Sequence, residues 1–202
     1  MHYLWSTLEK VSNILVQFLF TLYVSRFLTP EDFAIFGALT IFNSISLIII
    51  DSGFSHVIIR EKQISRKELN SIFILNVIFG LAIFFILQLI LPIIQNFFRI
   101  DKLIISGRIY FLAIPFLSLG VVPLGLLQKK LRFKVIFIIS IVSSLISVSI
   151  VLFFKNSTPA YWLLILQFLI QSGIRSVLFL YYSRISFNFY FNYNSIKRFV
   201  PF

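Results

Sequence analysis

Lys10, Asn13, Gln17, Thr21 and Ser25 succeed one another at spacings of three or four, the interval that stacks side chains on one face of a helix. The residues between them are largely apolar, so the stripe lies along a helix that is otherwise fit for lipid. Gly37, Thr40, Ser44 and Asp51 repeat the pattern, as do Ser140, Ser144 and Ser147, and Gln167, Gln171 and Arg175. Such faces can do two things. Small and hydroxyl-bearing residues let membrane helices approach and hydrogen-bond, which accounts for most of the Ser and Gly. Charged members ask for more, because a charge at the bilayer centre costs about 2.5–3.5 kcal/mol on insertion scales and therefore faces a cavity, a partner or the interface. Lys10, Asp51 and Arg175 are those members, and snorkelling from a helix end is the competing account for all three.

Other chemistry finds little support. The histidines are His2 and His56, cysteine is absent, and the adjacent carboxylates Glu31 and Asp32 sit in a Leu-Thr-Pro-Glu-Asp turn better suited to bounding a helix than to acid–base catalysis. No nucleotide-binding glycine loop, HExxH or GxSxG occurs. Neither a catalytic centre, nor a metal site, nor a cofactor is expected.

The elements that must position these faces follow from composition. Of 202 residues 59% are hydrophobic and 12% charged, against about 45–50% and about 25% in soluble domains. Uncharged runs of spanning length recur at 6–27, 33–59, 69–92, 104–127, 135–154 and 160–182, and lipid leaves helices as their only form. The expectation is an all-α membrane protein, a six-helix transmembrane bundle over 1–182 with a tail over 183–202. Pro115 and Pro123 lie in the fourth run, where a proline removes a hydrogen bond and bends or breaks the helix. The net charge of +11 is clustered between apolar runs and speaks for membrane topology and against nucleic acid. Lys10, Arg60, Lys62, Arg66, Lys67, Lys129, Lys130, Arg132, Lys134, Arg184, Lys197 and Arg198 fall on one side, and Arg26, Arg99, Lys102, Arg108 and Lys155 on the other. Short cytoplasmic loops carry the excess of Lys and Arg, so both ends are expected in the cytoplasm.

Arg26, Leu28, Thr29, Pro30, Glu31, Asp32 and Phe33, then Asp51, Gly53, Ser55 and Ile59, then Glu68, Leu69 and Asn70 together resemble the N-terminal part of the Wzx-type polysaccharide flippases, in the multidrug/oligosaccharidyl-lipid/polysaccharide exporter superfamily. Ala34 stands where that pattern usually has Gly, with Gly37 three positions later. Pro123, Leu127, Lys130, Leu131, Arg132, Phe133 and Lys134 resemble the family's junction between fourth and fifth helices. The likeness covers roughly the first two-thirds of the chain; the remaining spans fit by order and length.

The resemblance implies two bundles of about six or seven helices facing each other across a cavity and alternating access, of which this chain supplies the N-terminal one. The tail, with Ser195, Ile196, Lys197, Arg198 and Phe199, looks like the lead into a second lobe. The implied cargo is a polyprenyl-diphosphate-linked oligosaccharide moved from the cytoplasmic to the outer leaflet of a bacterial inner membrane, beside the polysaccharide assembly machinery. Cations would offset the diphosphate and polar stripes would replace water around the sugar. Lys10, Arg26 and Arg175 are then expected to contact diphosphate, and Asn13, Gln17, Gln167 and Gln171 to line the path. Asp51 is expected either to bind a coupling ion or, the preferred reading, to act structurally. The alternatives are a multidrug or small-cation exporter, which should carry an acidic cavity where only Asp51 is an inward carboxylate; a polymerase or glycosyltransferase, whose large or acidic loop is missing; and a truncated remnant, unless a homodimer supplies the other lobe.

Overall fold

A computed structural model describes residues 2–51, 54–61, 64–156 and 158–184. Among them every regular element is a helix: α1 (His2–Ser25), α2 (Pro30–Asp51), α3 (Phe54–Arg60), α4 (Arg66–Phe98), α5 (Leu103–Tyr110), α6 (Ala113–Lys129), α7 (Phe133–Phe153) and α8 (Ala160–Ser183). Of the expected tail over 183–202, Ser183 ends α8 and Arg184 caps it, and 185–202 lie outside the described residues.

Local chemistry sets several boundaries. The Thr-Pro-Glu-Asp turn opens α2 instead of preceding it, so this span starts three residues earlier than its apolar run suggests. Thr29 N–H donates to Asp32 Oδ2 at 3.0 Å and Asp32 N–H donates to Thr29 Oγ1 at 3.3 Å, a reciprocal cap with Pro30 at the first helical position, where its missing N–H costs nothing. Ser65 and Glu68 cap α4 in the same way. The expected span 33–59 holds two helices, α2 and α3, and Asp51 is the last residue of α2, where its Oδ1 accepts the Ser55 N–H of α3 at 3.3 Å.

The fourth span is also two helices. Pro115 has no N–H to return to the Phe111 carbonyl, and that carbonyl takes the Ile114 N–H at 3.0 Å instead. The chain therefore turns tightly between Tyr110 and Ala113. Pro92 and Pro123 stay inside continuous helices, α4 and α6.

Five stretches are long and apolar enough to cross a membrane: α2, α4, α5 with α6 (Leu103–Lys129), α7 and α8. The chain is an all-α, multi-pass membrane protein. The helix α1 has 24 residues and falls outside that set because its polar stripe dilutes its hydropathy. At 33 residues, α4 reaches about 50 Å, more than the roughly 30 Å of hydrocarbon, and its charged start, Arg66–Lys67–Glu68, extends beyond the apolar layer.

Packing inverts the soluble pattern. Leu89, Phe97 and Phe153 point outward, while Ser71, Asn76, Ser118, Ser140, Ser144, Ser147 and Gln167 are fully buried. With lipid outside, polar side chains find partners only between helices. The Asn76 amide of α4 donates to the Ile50 carbonyl in the last turn of α2 at 2.9 Å, satisfying an acceptor that the end of α2 leaves open. Ser176 of α8 donates to the Phe116 carbonyl of α6. The broadest interfaces join α6 with α8, α1 with α7, α7 with α8 and α4 with α6. A core of Ile35, Leu39, Leu91, Tyr110, Phe111 and Ile165 fills the space among α2, α4, α5 and α8.

Glycine makes the α4–α6 approach possible, since a Cβ at Gly80 would collide with the Ser118 side chain. Replacing Gly80 by Leu is expected to cost about 1–3 kcal/mol of stability through overpacking, read as a lower unfolding temperature in detergent. Gly37, with open space around its would-be Cβ, is the comparison: Gly37→Ala should match or exceed the native chain. Equal tolerance of both substitutions would refute the close crossing.

Candidate functional site

A cavity of about 790 Å³ opens between α1, α2, α5–α6 and α8. Its α1 wall carries Glu9, Lys10, Asn13, Gln17 and Thr21, the polar stripe without Ser25 and with Glu9 added, and Gln171, Ser172 and Arg175 face it from α8. Thr40 and Asn43 come from α2, and Tyr110 and Leu117 flank the break between α5 and α6. Tyr110 stacks on Phe168, with ring centroids 4.9 Å apart and planes 17° from parallel. The stripe lies beside the face of α1 that packs along α7 through Trp5, Phe20 and Val24, its opposite side, with Leu8, Leu15, Leu19 and Leu22, is exposed, and α1 makes no broad interface with α2. The cavity occupies the gap between those two helices.

At one end of the cavity Glu9 joins three helices. Its Oε1 accepts from Arg175 Nη2 at 3.2 Å, from Ser140 Oγ at 3.0 Å and from Asn13 Nδ2 at 3.1 Å. Arg175 lies eight residues before the end of α8, about 12 Å along the axis, so a partner rather than snorkelling accounts for it. Its guanidinium also sits 5.3 Å from the Phe179 ring, a cation–π contact. Arg175 Nε, Asn13 Oδ1 and Asn43 Oδ1 are buried without a partner among the described residues. Lys10 is exposed and pairs with no carboxylate there. Glu9 and Arg175 offset each other, and the charge left over is that of Lys10.

Five of the residues expected along a substrate path, Lys10, Asn13, Gln17, Gln171 and Arg175, thus share one cavity. Three others do not. Arg26 is exposed in the α1–α2 turn, sixteen residues and roughly 24 Å of helix from Lys10. Gln167 is fully buried behind the wall, where its amide donates to Gln171 Oε1 at 2.7 Å and to Ser147 Oγ at 3.4 Å; it supports Gln171 and does not line the cavity. Asp51 also lies off the cavity and accepts the Ser55 N–H in the first turn of α3. The carboxylate facing the cavity is Glu9, which sequence reasoning passed over. Its signal was present: Glu9 precedes Asn13 by four residues, on the stripe's own face.

The family is decided by residues 23–202, which match the model described as "Polysaccharide biosynthesis protein". The chain belongs to that family. It is 31% identical over 134 residues to the teichuronic acid biosynthesis protein TuaB of Bacillus subtilis, covering 62% of this chain and 26% of that protein. The lipopolysaccharide biosynthesis protein WzxC of Escherichia coli is 26% identical over 184 residues, 89% of this chain and 37% of its own length. An uncharacterized membrane protein in the cps region of Klebsiella pneumoniae is 26% identical over 132 residues, 65% of this chain and 27% of that one. The resemblance to Wzx-type flippases is borne out, and the chain spans between a quarter and two-fifths of each of these relatives. No solved structure matches.

The three-helix junction makes a thermodynamic claim. Glu9→Gln and Arg175→Gln should each destabilise the chain, since either leaves a charge in the wall without its counterion. The double variant should lose less than the sum, with a coupling of about 0.5–3 kcal/mol in thermal unfolding in detergent. Additive losses would mean that the pair contributes nothing as a pair.

Proposed function

We propose that this chain is the N-terminal lobe of a flippase that carries a polyprenyl-diphosphate-linked oligosaccharide from the cytoplasmic to the outer leaflet of a bacterial inner membrane, for surface polysaccharide synthesis. The carrying observation is the cavity: two cations against one carboxylate, on walls that alternate amide and hydroxyl groups with aromatic rings. Lys10 and Arg175 would hold the diphosphate, one as a mobile point charge and the other as a planar donor. Asn13, Gln17 and Gln171 would offer the sugar hydroxyls the hydrogen bonds they lose on leaving water. The lipid tail would stay in the bilayer, beside the gap between α1 and α2. In this reading the chain is a transporter and not an enzyme, Arg26 holds the turn, and Asp51 has no part in ion coupling.

Six crossings with both ends in the cytoplasm are part of the proposal. Two observations support it. The helix α1 runs parallel to α7 in constant register: Trp5 meets Phe137 with ring centroids 5.5 Å apart, Glu9 meets Ser140, and Tyr23 meets Lys155. A helix that follows a spanning partner over this length reaches the same depth. The cationic ends of α4, α6 and α8 gather around one recess, and Lys134, just past the end of α6, lies 5.7 Å from the Trp5 ring near the start of α1, so they share an end of the bundle as the positive-inside rule asks. Across the α1–α2 gap we place a second lobe, from a longer polypeptide or from another copy of this chain.

An exporter of small cations is the second reading, and Glu9 is the observation in its favour. The Arg175 contact and the uncompensated Lys10 weigh the other way, because they leave the cavity with a net positive charge.

The test is genetic. With the variant lobe inside the full carrier, Lys10→Ala and Arg175→Ala should each lower surface polysaccharide by about tenfold or more, the effect of losing a charge-assisted contact. Normal polymer at normal protein levels would sink the assignment, and polymer loss in step with protein loss would assign the residues to folding.

A further inference from the structure

At the end of the bundle where α1 starts and α8 stops, a second concavity of about 450 Å³ is enclosed by α4, α6 and α8. It shares no residue with the central cavity. Arg66 comes from the first turn of α4, Lys129 and Lys130 from the end of α6, and Arg184 from the end of α8. No carboxylate lines it, and none of the four cations is ion-paired among the described residues. The floor holds Asn70 and Ser183, which are 6% and 5% exposed, and apolar flanks come from Ile64, Leu69 and Leu126.

Topology alone explains why this end is basic, but it does not explain convergence. A positive-inside signal works from any loop position, whereas these cations come from three segments that are far apart in sequence and meet around one recess. Cations near helix C-termini also offset the dipoles of α6 and α8, each worth roughly half a charge. Three full charges at two helix ends, with a fourth at the start of α4, exceed that need. The ligand must therefore be anionic. The apolar flanks and the position at the edge of the hydrocarbon require it to be amphipathic as well, which distinguishes a lipid from a soluble ion.

We propose that this recess binds the phosphate of an anionic phospholipid headgroup, as a site separate from the central cavity and independent of the cargo assigned there. Arg66, Lys130 and Arg184 would surround the phosphate oxygens. Lys129 is held back by donating to the Glu61 carbonyl at 2.6 Å. The acyl chains would leave past Leu69 and Leu126. A lipid seated here would tie together the ends of three helices on the face where α4 projects from the membrane.

The experiment follows thermal unfolding of the purified whole chain in detergent as short-chain phosphatidylglycerol, the matching phosphatidylcholine or inorganic phosphate is titrated in, since a ligand of the folded state raises its unfolding temperature. Phosphatidylglycerol should stabilise saturably and the other two should not. Lys130→Gln with Arg184→Gln should weaken the apparent affinity about 25-fold, roughly fivefold per cation. Arg132→Gln with Lys134→Gln, the same charge loss outside the recess, should leave it unchanged. Should the first pair fail to fold, Lys130→Gln alone is expected to cost about fivefold. Equal weakening by both pairs, or equal stabilisation by phosphatidylcholine, would overturn the site. Stabilisation by inorganic phosphate as strong as by the lipid would overturn the lipid as its source.

Discussion

A carboxylate inside a membrane bundle needs several donors at once, and Glu9 obtains three. Arg175, Ser140 and Asn13 all donate to the same oxygen, so one atom joins α1 to α7 and α8 at this level, beside the packing of Phe20 and Val24 further along. Much else depends on that attachment. With no broad interface to α2, α1 stands away from the rest of the bundle and leaves the cavity between them. The stripe that would make α1 a poor lipid-facing helix becomes a polar wall, the face beside it packs along α7, and the apolar side opposite is left for lipid. In hydrocarbon, hydrogen bonds and close packing supply the association that the hydrophobic effect supplies in water.

The same economy governs the rest of the bundle. Asn76 reaches the Ile50 carbonyl, Gln88 Nε2 donates to the Arg108 carbonyl at 3.1 Å, and Ser176 reaches the Phe116 carbonyl. Each link serves a backbone acceptor at or near a helix end or break, where lipid offers no substitute. Gly80 and Ser118 set how closely α4 and α6 approach. The break before Ala113 is likewise a consequence of one missing N–H, at Pro115, and it presents Tyr110 and Leu117 to the cavity. A discontinuous helix at a polar path is the arrangement by which carriers expose non-helical backbone without exposing it to lipid.

Two positively charged recesses in one lobe serve different ends on the reading advanced above. The central one joins amide and hydroxyl groups with aromatic rings, suited to a ligand that changes sides. The peripheral one joins cations with aliphatic flanks at the edge of the membrane, suited to a ligand that stays. They differ in electrostatic balance too. Arg175 is engaged by Glu9, so the central cavity keeps one unshared charge, whereas the peripheral recess has no carboxylate in its lining among the described residues.

By itself the sequence determined the helical class, the multi-pass character and the polar faces, because hydropathy and the 3.6-residue period are local properties; which of Pro115 and Pro123 divides the fourth span it left open. Motif order determined the family. It did not determine which faces meet. Gln167 and Gln171 share a face of α8, yet the first is buried against Ser147 and the second lines the cavity. Arg26 belongs to a recognisable motif, yet it stands roughly 24 Å of helix away from Lys10. Nothing beside Glu9 in the sequence names Arg175, which α8 brings to it from 166 positions away. Arg66, Lys130 and Arg184 read as topology signals until three helix ends converge. Those distinctions belong to the tertiary structure alone, because a side chain's surroundings in a bundle are set by helices distant in sequence, and no local period records them.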